Sequence, residues 1–367
     1  MIALSGALGI AAYSPISRVI LTVRLLAALG RVAASDIGPD SEIRETRITR
    51  RLEGTELAAV TYERPGAAPA RAIILVPGIS ELGFRHPRLV SLARALAGTG
   101  FLVLTPDIRR FREFRICPPP IDEISFWLRD LRRAGAGAGT RHVILAGVSF
   151  SGTLSLIAAA QPRNQGAAAA VLGIGAFDDL LRCSRGWFGA GPVTVGEGHY
   201  PTRFYAKWVV MLAAVDMLTE AGDRAFLEMV LRALLGQREV PVPPDALSDE
   251  GRRWYRLALI REDRTDAALA GDIEARVAAR LYPALAIRNA AAQIACPVFL
   301  AHGAYDDLIP PEESARLQEK ITSAPSYLLV SPFLTHTHPR ENAISWWAQT
   351  RGAVDLFLFL YRLTGVL

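Results

Sequence analysis

Cysteine is scarce in this sequence. The chain of 367 residues has only three, Cys117, Cys183 and Cys296, which are odd in number and far apart. Such usage is typical of reduced thiols rather than of a disulfide framework. Zinc-finger spacing, RNA-binding aromatic motifs and helix-turn-helix signatures are also missing. A disulfide-stapled scaffold and a nucleic-acid-binding module are therefore not expected, and we predict a cytoplasmic location.

Charged residues are few as well, at 21% of the chain, whereas apolar residues make up 51%. This balance predicts a globular chain with a substantial core. The formal net charge of +5 comes from scattered arginines with one cluster at residues 109–115. Because no nucleic-acid motif accompanies the cluster, we interpret it as a solvated loop.

The N-terminus lacks the features of a secretory signal and of a membrane span. Residues 1–17 carry no charged side chain, so the basic region that begins a signal is missing. Arg18, Arg24 and Arg31 interrupt the apolar sequence that follows. We predict an amphipathic helix that lies either on a membrane surface or on the protein's own surface. Residues 1–34 are thus a candidate for peripheral membrane contact.

Strand and helix patterns alternate between residues 42 and 180. An alternating hairpin is followed by buried apolar runs, such as 72–76 and 143–148, that end in glycine or proline turns. Helical periodicity separates these runs, and the alanine- and glycine-rich residues 134–139 are expected to form a flexible connector. This alternation predicts an α/β fold, with a mostly parallel central sheet and helices on both faces.

The pattern becomes wholly helical after residue 180, and strand signals return only near residue 297. The chain is therefore divided into three parts. These are an apolar N-terminal segment (1–40), an α/β core (41–180 and 291–367) and a helical insertion (181–290). A second helical domain without contact to a functional site is the alternative interpretation of the insertion.

The most informative stretch is 143–152. A β-branched apolar run ends in Gly147-Val148-Ser149-Phe150-Ser151-Gly152, and a helix of small residues follows. Small residues on both sides of Ser149 allow a tight turn that lifts its hydroxyl out of the sheet. The hydroxyl then lies at a helix N-terminus, where a developing anion is favoured. The alternative is a strand-to-helix turn that merely happens to carry serine.

Two polar clusters follow later strands. Asp306 and Asp307 stand in a turn after an apolar run, and Asp307 also suits the cap of the next helix. His336 and His338 lie in a loop after the last predicted strand. A carboxylate can hold an imidazole in one tautomer, whereas His-x-His is also a metal-ligand spacing. No third clustered histidine or cysteine in the sequence supports a metal.

These three motifs, in the order Ser, Asp, His, resemble the α/β-hydrolase superfamily. The turn at Ser149 is similar to its nucleophile elbow, G-x-S-x-G, although Ser151 stands where the second glycine is usual. Residues 302–310 are similar to its acid-bearing turn, H-G-x-x-D-x-x-I-P. The resemblance implies Ser149 as nucleophile, Asp306 as acid and His336 as base, with His338 the second choice for the base.

The same resemblance implies the rest of a site. The backbone N–H groups of Ile79 and Phe150 would form an oxyanion hole, and the insertion would be a cap over the site. Some members place the acid after the sixth strand, where Asp178 and Asp179 lie here. A serine nucleophile differs from the aspartate of haloalkane dehalogenases and epoxide hydrolases and from the cysteine of polyester synthases.

The implied activity is hydrolysis of a carboxylic ester through an acyl-enzyme, without a metal or an organic cofactor. The expected substrate is a small-molecule or lipid-like ester, while thioesters, lactones and amides are compatible with the same chemistry. Two alternatives stay open. One is an acyltransferase on the same scaffold, and the other is a non-catalytic protein that binds an apolar ligand or a partner.

Overall fold

The computed structural model describes residues 15–33, 42–66, 69, 71–138, 142–188, 202–259, 266–306, 308–334 and 346–367. Within these residues an eight-stranded sheet forms the centre. Its strands are β1 (Arg44–Leu52), β2 (Thr55–Glu63), β3 (Arg71–Val76), β4 (Leu102–Pro106), β5 (His142–Val148), β6 (Ala170–Ile174), β7 (Val298–Gly303) and β8 (Ser326–Ser331).

The strands lie in the order β1-β2-β4-β3-β5-β6-β7-β8. The hairpin of β1 and β2 is antiparallel, and β2 also pairs antiparallel with β4. All the other neighbours pair in parallel. The predicted hairpin and the predicted, mostly parallel sheet are therefore confirmed.

Helices flank the sheet. They are α1 (Pro15–Ala33), α2 (Pro87–Gly98), α3 (Arg109–Arg112), α4 (Pro120–Ala138), α5 (Phe150–Ala160), α6 (Leu180–Phe188), α7 (Thr202–Ala214), α8 (Ala221–Leu235), α9 (Asp249–Leu259), α10 (Ala267–Leu285), α11 (Pro311–Lys320) and α12 (Trp346–Thr364). Helices α6 to α10 lie between β6 and β7 in the chain, which is the place of the predicted helical insertion.

Strand β3 illustrates why the parallel strands are almost wholly apolar. Ile73 and Leu75 belong to one buried cluster, whereas Ile74 and Val76 belong to another. Successive side chains of a strand point to opposite faces, so a sheet covered on both faces needs apolar residues at every position. Edge strand β1 is instead largely exposed and rich in arginine, a composition that discourages pairing with another chain.

Helix α1 packs on the protein's own core. Leu21 and Leu25 are buried in the same cluster as residues of α2 and α12, and Ala28 is also buried. The Arg18 guanidinium donates a hydrogen bond to the carbonyl of Tyr361 at 2.9 Å and lies 4.2 Å from the centre of its ring. The sequence left two locations open for this helix, a membrane surface and the protein's own surface. The structure shows that the inner face of α1 packs on the protein itself.

One sequence-based expectation is wrong. Residues 134–139 were expected to form a flexible connector, yet α4 continues to Ala138. Each glycine inside a helix costs about 1 kcal/mol relative to alanine. The alternating alanines, which are the best helix formers, keep that cost small enough for the helix to extend.

Among the described residues, no helix combines the length and apolar character needed to cross a bilayer.

Candidate active site

The carboxyl ends of the parallel strands meet at one edge of the sheet. The register pairs Val76 with Gly147, Val148 with Ile174, and Ile174 with Ala301. The turns that follow β3, β5, β6 and β7 therefore begin side by side along this edge of the sheet. In open α/β sheets this edge is where binding sites form.

Ser149 occupies the turn between β5 and α5 with a strained backbone. Its φ of 59° and ψ of −129° are unusual for a residue with a side chain. Its N–H donates to the carbonyl of Ile174 at 2.6 Å, which fastens the turn to the neighbouring strand. The predicted strand, turn and helix are thus all present, and the turn is as tight as the sequence indicates.

The residues around Ser149 explain the glycine before it and the serine after it. A Cβ at Gly147 would collide with the carbonyl oxygen of Ser151 and lie 2.5 Å from the hydroxyl of Ser155, so only glycine fits there. The buried Ser151 hydroxyl accepts a hydrogen bond from Val148 N–H at 2.9 Å and lies 3.0 Å from the carbonyl of Val76, to which it can donate. Ser151 therefore replaces the usual glycine without a clash and joins the ends of β3 and β5.

The predicted oxyanion-hole residues lie beside this turn. A Cβ at Gly78, the residue before Ile79, would be 3.7 Å from the Cβ of Ser149. Phe150 is the first residue of α5, and the N–H groups of a first helical turn have no acceptor within their own helix. Both backbone segments are thus close to the Ser149 side chain.

Asp306 is buried and held by the backbone of its own turn. Its Oδ1 accepts hydrogen bonds from the N–H groups of Leu308 at 3.0 Å and Ile309 at 2.9 Å. The fully buried His302 donates from Nε2 to the carbonyl of Ile309 at 2.8 Å, and its Nδ1 lies 2.7 Å from the hydroxyl of Ser314. His302 therefore braces the acid turn.

The alternative acids after β6 lie in an ion cluster. Asp178 contacts the ammonium group of Lys320 at 2.5 Å and the guanidinium of Arg182 at 3.0 Å. Asp179 accepts two backbone N–H groups in the first turn of α6. The buried Glu313 carboxylate joins the same cluster through Arg182. Asp178 and Asp179 thus bond to groups of α6 and α11.

The chain that leads to the predicted base passes the acid turn. The carbonyl oxygen of Leu334 packs so closely on Gly303 that a Cβ there would overlap it. Leu334 precedes His336 by two residues. The side chains of His336, His338 and Asp307 lie outside the described residues, so the choice between the two histidines stays a prediction.

Two side chains of the helical insertion reach the loops of this edge, and sequence reasoning did not identify them. The Tyr205 hydroxyl on α7 donates to the carbonyl of Ile79 at 2.6 Å. The Trp187 Nε1–H on α6 donates to the carbonyl of Leu308 at 2.6 Å. Desolvation raises the pKa of the Tyr205 phenol, so the phenol keeps the proton it donates. No local sequence signal could have found either contact.

The described residues contain no group of three or more His, Cys, Asp or Glu that could hold a metal ion. Cys117, Cys183 and Cys296 are free thiols, as the sequence indicated. Burial raises the pKa of Cys117 and of Cys183, and it raises that of Cys296 to about 11. These thiols are protonated at neutral pH and therefore make poor nucleophiles.

The arginine cluster at residues 109–115 pairs with carboxylates of the same chain. Its ion pairs are Arg109–Glu113 at 2.7 Å, Arg110–Glu123 at 2.7 Å, Arg112–Asp107 at 2.7 Å and Arg115–Glu113 at 3.4 Å. Arg112 also packs against Gly83, in the loop after β3. The cluster thus supports the loop that precedes α2.

Comparison with known proteins gives matches among solved structures only. No protein-family model matches the sequence, and no curated protein matches it significantly. The structure of 2,6-dihydroxy-pseudo-oxynicotine hydrolase is similar with a TM-score of 0.50 and 16% identity, over 94% of this chain and 80% of that one.

Two further structures match less well. The esterase from Pyrobaculum calidifontis has a TM-score of 0.48 and 15% identity, over 96% of this chain and 99% of that one. The acylaminoacyl peptidase of Pyrococcus horikoshii has a TM-score of 0.48 and 13% identity over 87% of this chain, which spans only 41% of the peptidase. From its strand order and the hydrolase likeness, the chain has the α/β-hydrolase fold.

Proposed function

We propose that the chain is a serine hydrolase that cleaves a carboxylic ester. The observation that carries this proposal is the strained backbone of Ser149 at the end of β5. A residue held in such a conformation costs about 1–3 kcal/mol and persists where the surrounding structure enforces it. In this fold the strain raises the serine hydroxyl above the sheet edge, at the N-terminus of a helix.

The reaction divides into two steps. In the first, His336 takes the proton from Ser149 as its Oγ attacks the ester carbon, and the resulting oxyanion accepts hydrogen bonds from the N–H groups of Ile79 and Phe150. His336 then protonates the departing alcohol, which leaves the acyl-enzyme. In the second step His336 takes a proton from water, the water attacks the acyl-enzyme, and the acid leaves as Ser149 regains its proton.

Asp306 orients the imidazole and stabilises its positive charge. The two N–H groups on Oδ1 fix the carboxylate plane. We therefore expect Asp306→Asn to lower kcat about 10⁴-fold, the loss typical of an amide at this position. If Asp306→Asn keeps the kcat of the wild type, the catalytic acid would instead be sought in the ion cluster that contains Asp178.

The base is tested by hydrolysis of p-nitrophenyl acetate. His336→Ala should lower kcat by several orders of magnitude, because one imidazole makes both proton transfers. His338→Ala is the matched control and should lose much less. If His338→Ala is the inactive variant, His338 rather than His336 is the base, and the proposed mechanism is otherwise unchanged.

We place the helical insertion over the site as a cap, supported by the bonds of Tyr205 and Trp187 to the two loops. Its apolar helices favour an acyl or lipid-like ester. Specificity constants for p-nitrophenyl esters from acetate to dodecanoate test this, and they should rise with chain length. An acyltransferase would divert the acyl group to an added alcohol, whereas a non-catalytic protein would hydrolyse none of the esters.

The outer face of α1 supports a second proposal, contact with an anionic lipid surface. Ile16, Val19, Ile20 and Val23 form a stripe at helical spacing with 41–70% of each residue exposed. The first 35 residues contain three arginines and no carboxylate, so the charge of this region complements anionic headgroups. Apolar insertion and charge attraction together can hold an interfacial helix.

Flotation with liposomes of phosphatidylserine and phosphatidylcholine tests this contact. The full chain should float at low salt and less at high salt, because salt screens the charge attraction. The variant Val19→Ser/Ile20→Ser/Val23→Ser should stay at the bottom while it keeps its esterase activity. Full chain that does not float, or a variant that floats equally, would refute the contact. Self-association abolished by the variant would instead identify a second copy as the occupant.

A further inference from the structure

The helical insertion contacts the loop after β3 through the Tyr205 hydroxyl and through an ion pair of Arg238 with Glu81 at 3.6 Å. Tyr205 donates to the carbonyl of Ile79 at 2.6 Å, and its ring packs edge-on against Phe114 at a centroid distance of 6.0 Å. Ile79 lies beyond the last residue of β3, where the ladder of strand hydrogen bonds has ended. The carbonyl of Ile79 belongs to the peptide group between Ile79 and Ser80, which directly follows the peptide group that carries the Ile79 N–H. This long-range contact therefore helps to position the backbone on the carbonyl side of Ile79.

The insertion holds the acid turn in a similar way. Trp187 donates to the carbonyl of Leu308, and the N–H of that same peptide group, which belongs to Ile309, donates to Oδ1 of Asp306. A peptide group that accepts a hydrogen bond at its oxygen becomes a stronger donor at its nitrogen. A short chain of hydrogen bonds thus leads from α6 to the Asp306 carboxylate.

We propose that Tyr205 and Trp187 are positioning residues, through which the helical insertion sets the geometry of the oxyanion hole and of the acid. The proposal rests on the proposed function, since it assigns roles within the same site. Neither side chain needs to touch the substrate. Tyr205 acts through the peptide between Ile79 and Ser80, which adjoins the one that carries the Ile79 N–H. Trp187 acts through the peptide between Leu308 and Ile309.

The expected decrease in kcat can be compared with the loss of an oxyanion-hole donor. Loss of an oxyanion donor typically lowers kcat about 10²–10³-fold. Tyr205→Phe leaves the Ile79 N–H in place and only frees its loop, so we expect a smaller decrease in kcat, of about 10- to 100-fold. The KM should stay nearly unchanged, because the contact acts on the transition state rather than on the bound ester.

The insertion offers a matched control for each residue. The Tyr255 hydroxyl donates to the carbonyl of Pro241 at 3.3 Å, and the Trp208 Nε1–H donates to the carbonyl of Ala258 at 2.9 Å. These bonds stay inside the insertion. Tyr255→Phe and Trp208→Phe therefore lose the same kind of hydrogen bond without freeing a loop of the site.

The experiment measures kcat, KM and inhibition by a trifluoromethyl ketone in the full chain and in the four phenylalanine variants. The ketone adds the serine oxygen to its carbonyl and places an oxyanion in the hole, so its inhibition constant reports the transition-state geometry. Tyr205→Phe should weaken inhibition by the same factor as kcat/KM. Trp187→Phe should lower kcat at constant KM, while the two controls should match the wild type.

The outcomes separate this proposal from the proposed function. If Tyr205→Phe matches Tyr255→Phe in kcat and in ketone inhibition, the positioning role is refuted while ester hydrolysis stands. If the wild type neither hydrolyses esters nor binds the ketone, the proposed function itself has failed. Should Trp187→Phe not fold, the tyrosine pair still decides the question, because phenylalanine keeps the ring of Tyr205 and its packing on Phe114.

Discussion

The hydroxyl of Ser151 stands where a nucleophile elbow usually has glycine, and its removal tests what that hydroxyl does. It is fully buried and bonds to Val148 N–H and to the carbonyl of Val76 or Val148. In Ser151→Ala the N–H of Val148 loses this acceptor. A buried polar group left without a partner costs about 1–3 kcal/mol. We therefore expect the free energy of unfolding to fall by about 2 kcal/mol.

The corresponding change in melting temperature is small but measurable. The entropy of unfolding is about 2.1 cal/mol/K per residue, so for 367 residues a loss of 2 kcal/mol lowers Tm by about 3 °C. Differential scanning calorimetry resolves this. Labelling by a fluorophosphonate should persist in Ser151→Ala, because Ser149 is the proposed nucleophile.

Ser155→Ala is the matched control. Ser155 lies one helical turn further along α5, is equally buried, and its hydroxyl has no hydrogen-bond partner among the described residues. Alanine removes that unsatisfied group and is the better helix former, so Tm should hold or rise. Equal Tm losses in the two variants would refute the bonding role of Ser151. Loss of labelling in a folded Ser151→Ala would refute the choice of nucleophile.

Three further predictions concern the fold. Leu25→Ala, on the inner face of α1, should lower the free energy of unfolding by about 2–5 kcal/mol in urea titrations. The control Val23→Ala, at an exposed position of the same helix, should change it by less than about 0.5 kcal/mol. Equal effects of the two substitutions would contradict the packing of α1. Burial raises the pKa of Glu123 above 4.5 despite its contact with Arg110, so this carboxyl supports folding when neutral and opposes it as pH rises through its folded pKa. The Tm of Glu123→Gln relative to wild type should therefore become more positive from pH 4 to pH 8, and a fall would reverse the assignment. Since the pKa of Cys296 is raised to about 11, mass spectrometry should find this thiol almost unmodified by iodoacetamide at pH 8 in the native protein and modified after unfolding.

The parts of the fold that depend on local patterns were predictable from the sequence. The turn at Ser149 could be recognised because its steric demands fall on neighbours such as Gly147, within a few residues of the serine. Strands β3 and β5 could be recognised because they are buried on both faces and hence almost wholly apolar. Hydrophobic periodicity likewise revealed most helices.

Contacts between distant segments could not be predicted. Tyr205 and Ile79 are 126 residues apart, and Trp187 and Leu308 are 121 apart. Nothing in the local sequence of either partner marks the pairing. Helix α1 was ambiguous for another reason. It is apolar on two faces, and only the packing of Leu25 against the core distinguishes the inner face from the outer one.

The identity of the nucleophile is tested most directly by covalent labelling. The full chain is treated with a fluorophosphonate, digested, and the modified peptide sequenced by mass spectrometry. We expect one adduct, on Ser149, and none in Ser149→Ala, whose Tm should stay close to that of the wild type. An adduct that persists in Ser149→Ala, or that maps to another serine of the wild type, would contradict the proposed mechanism.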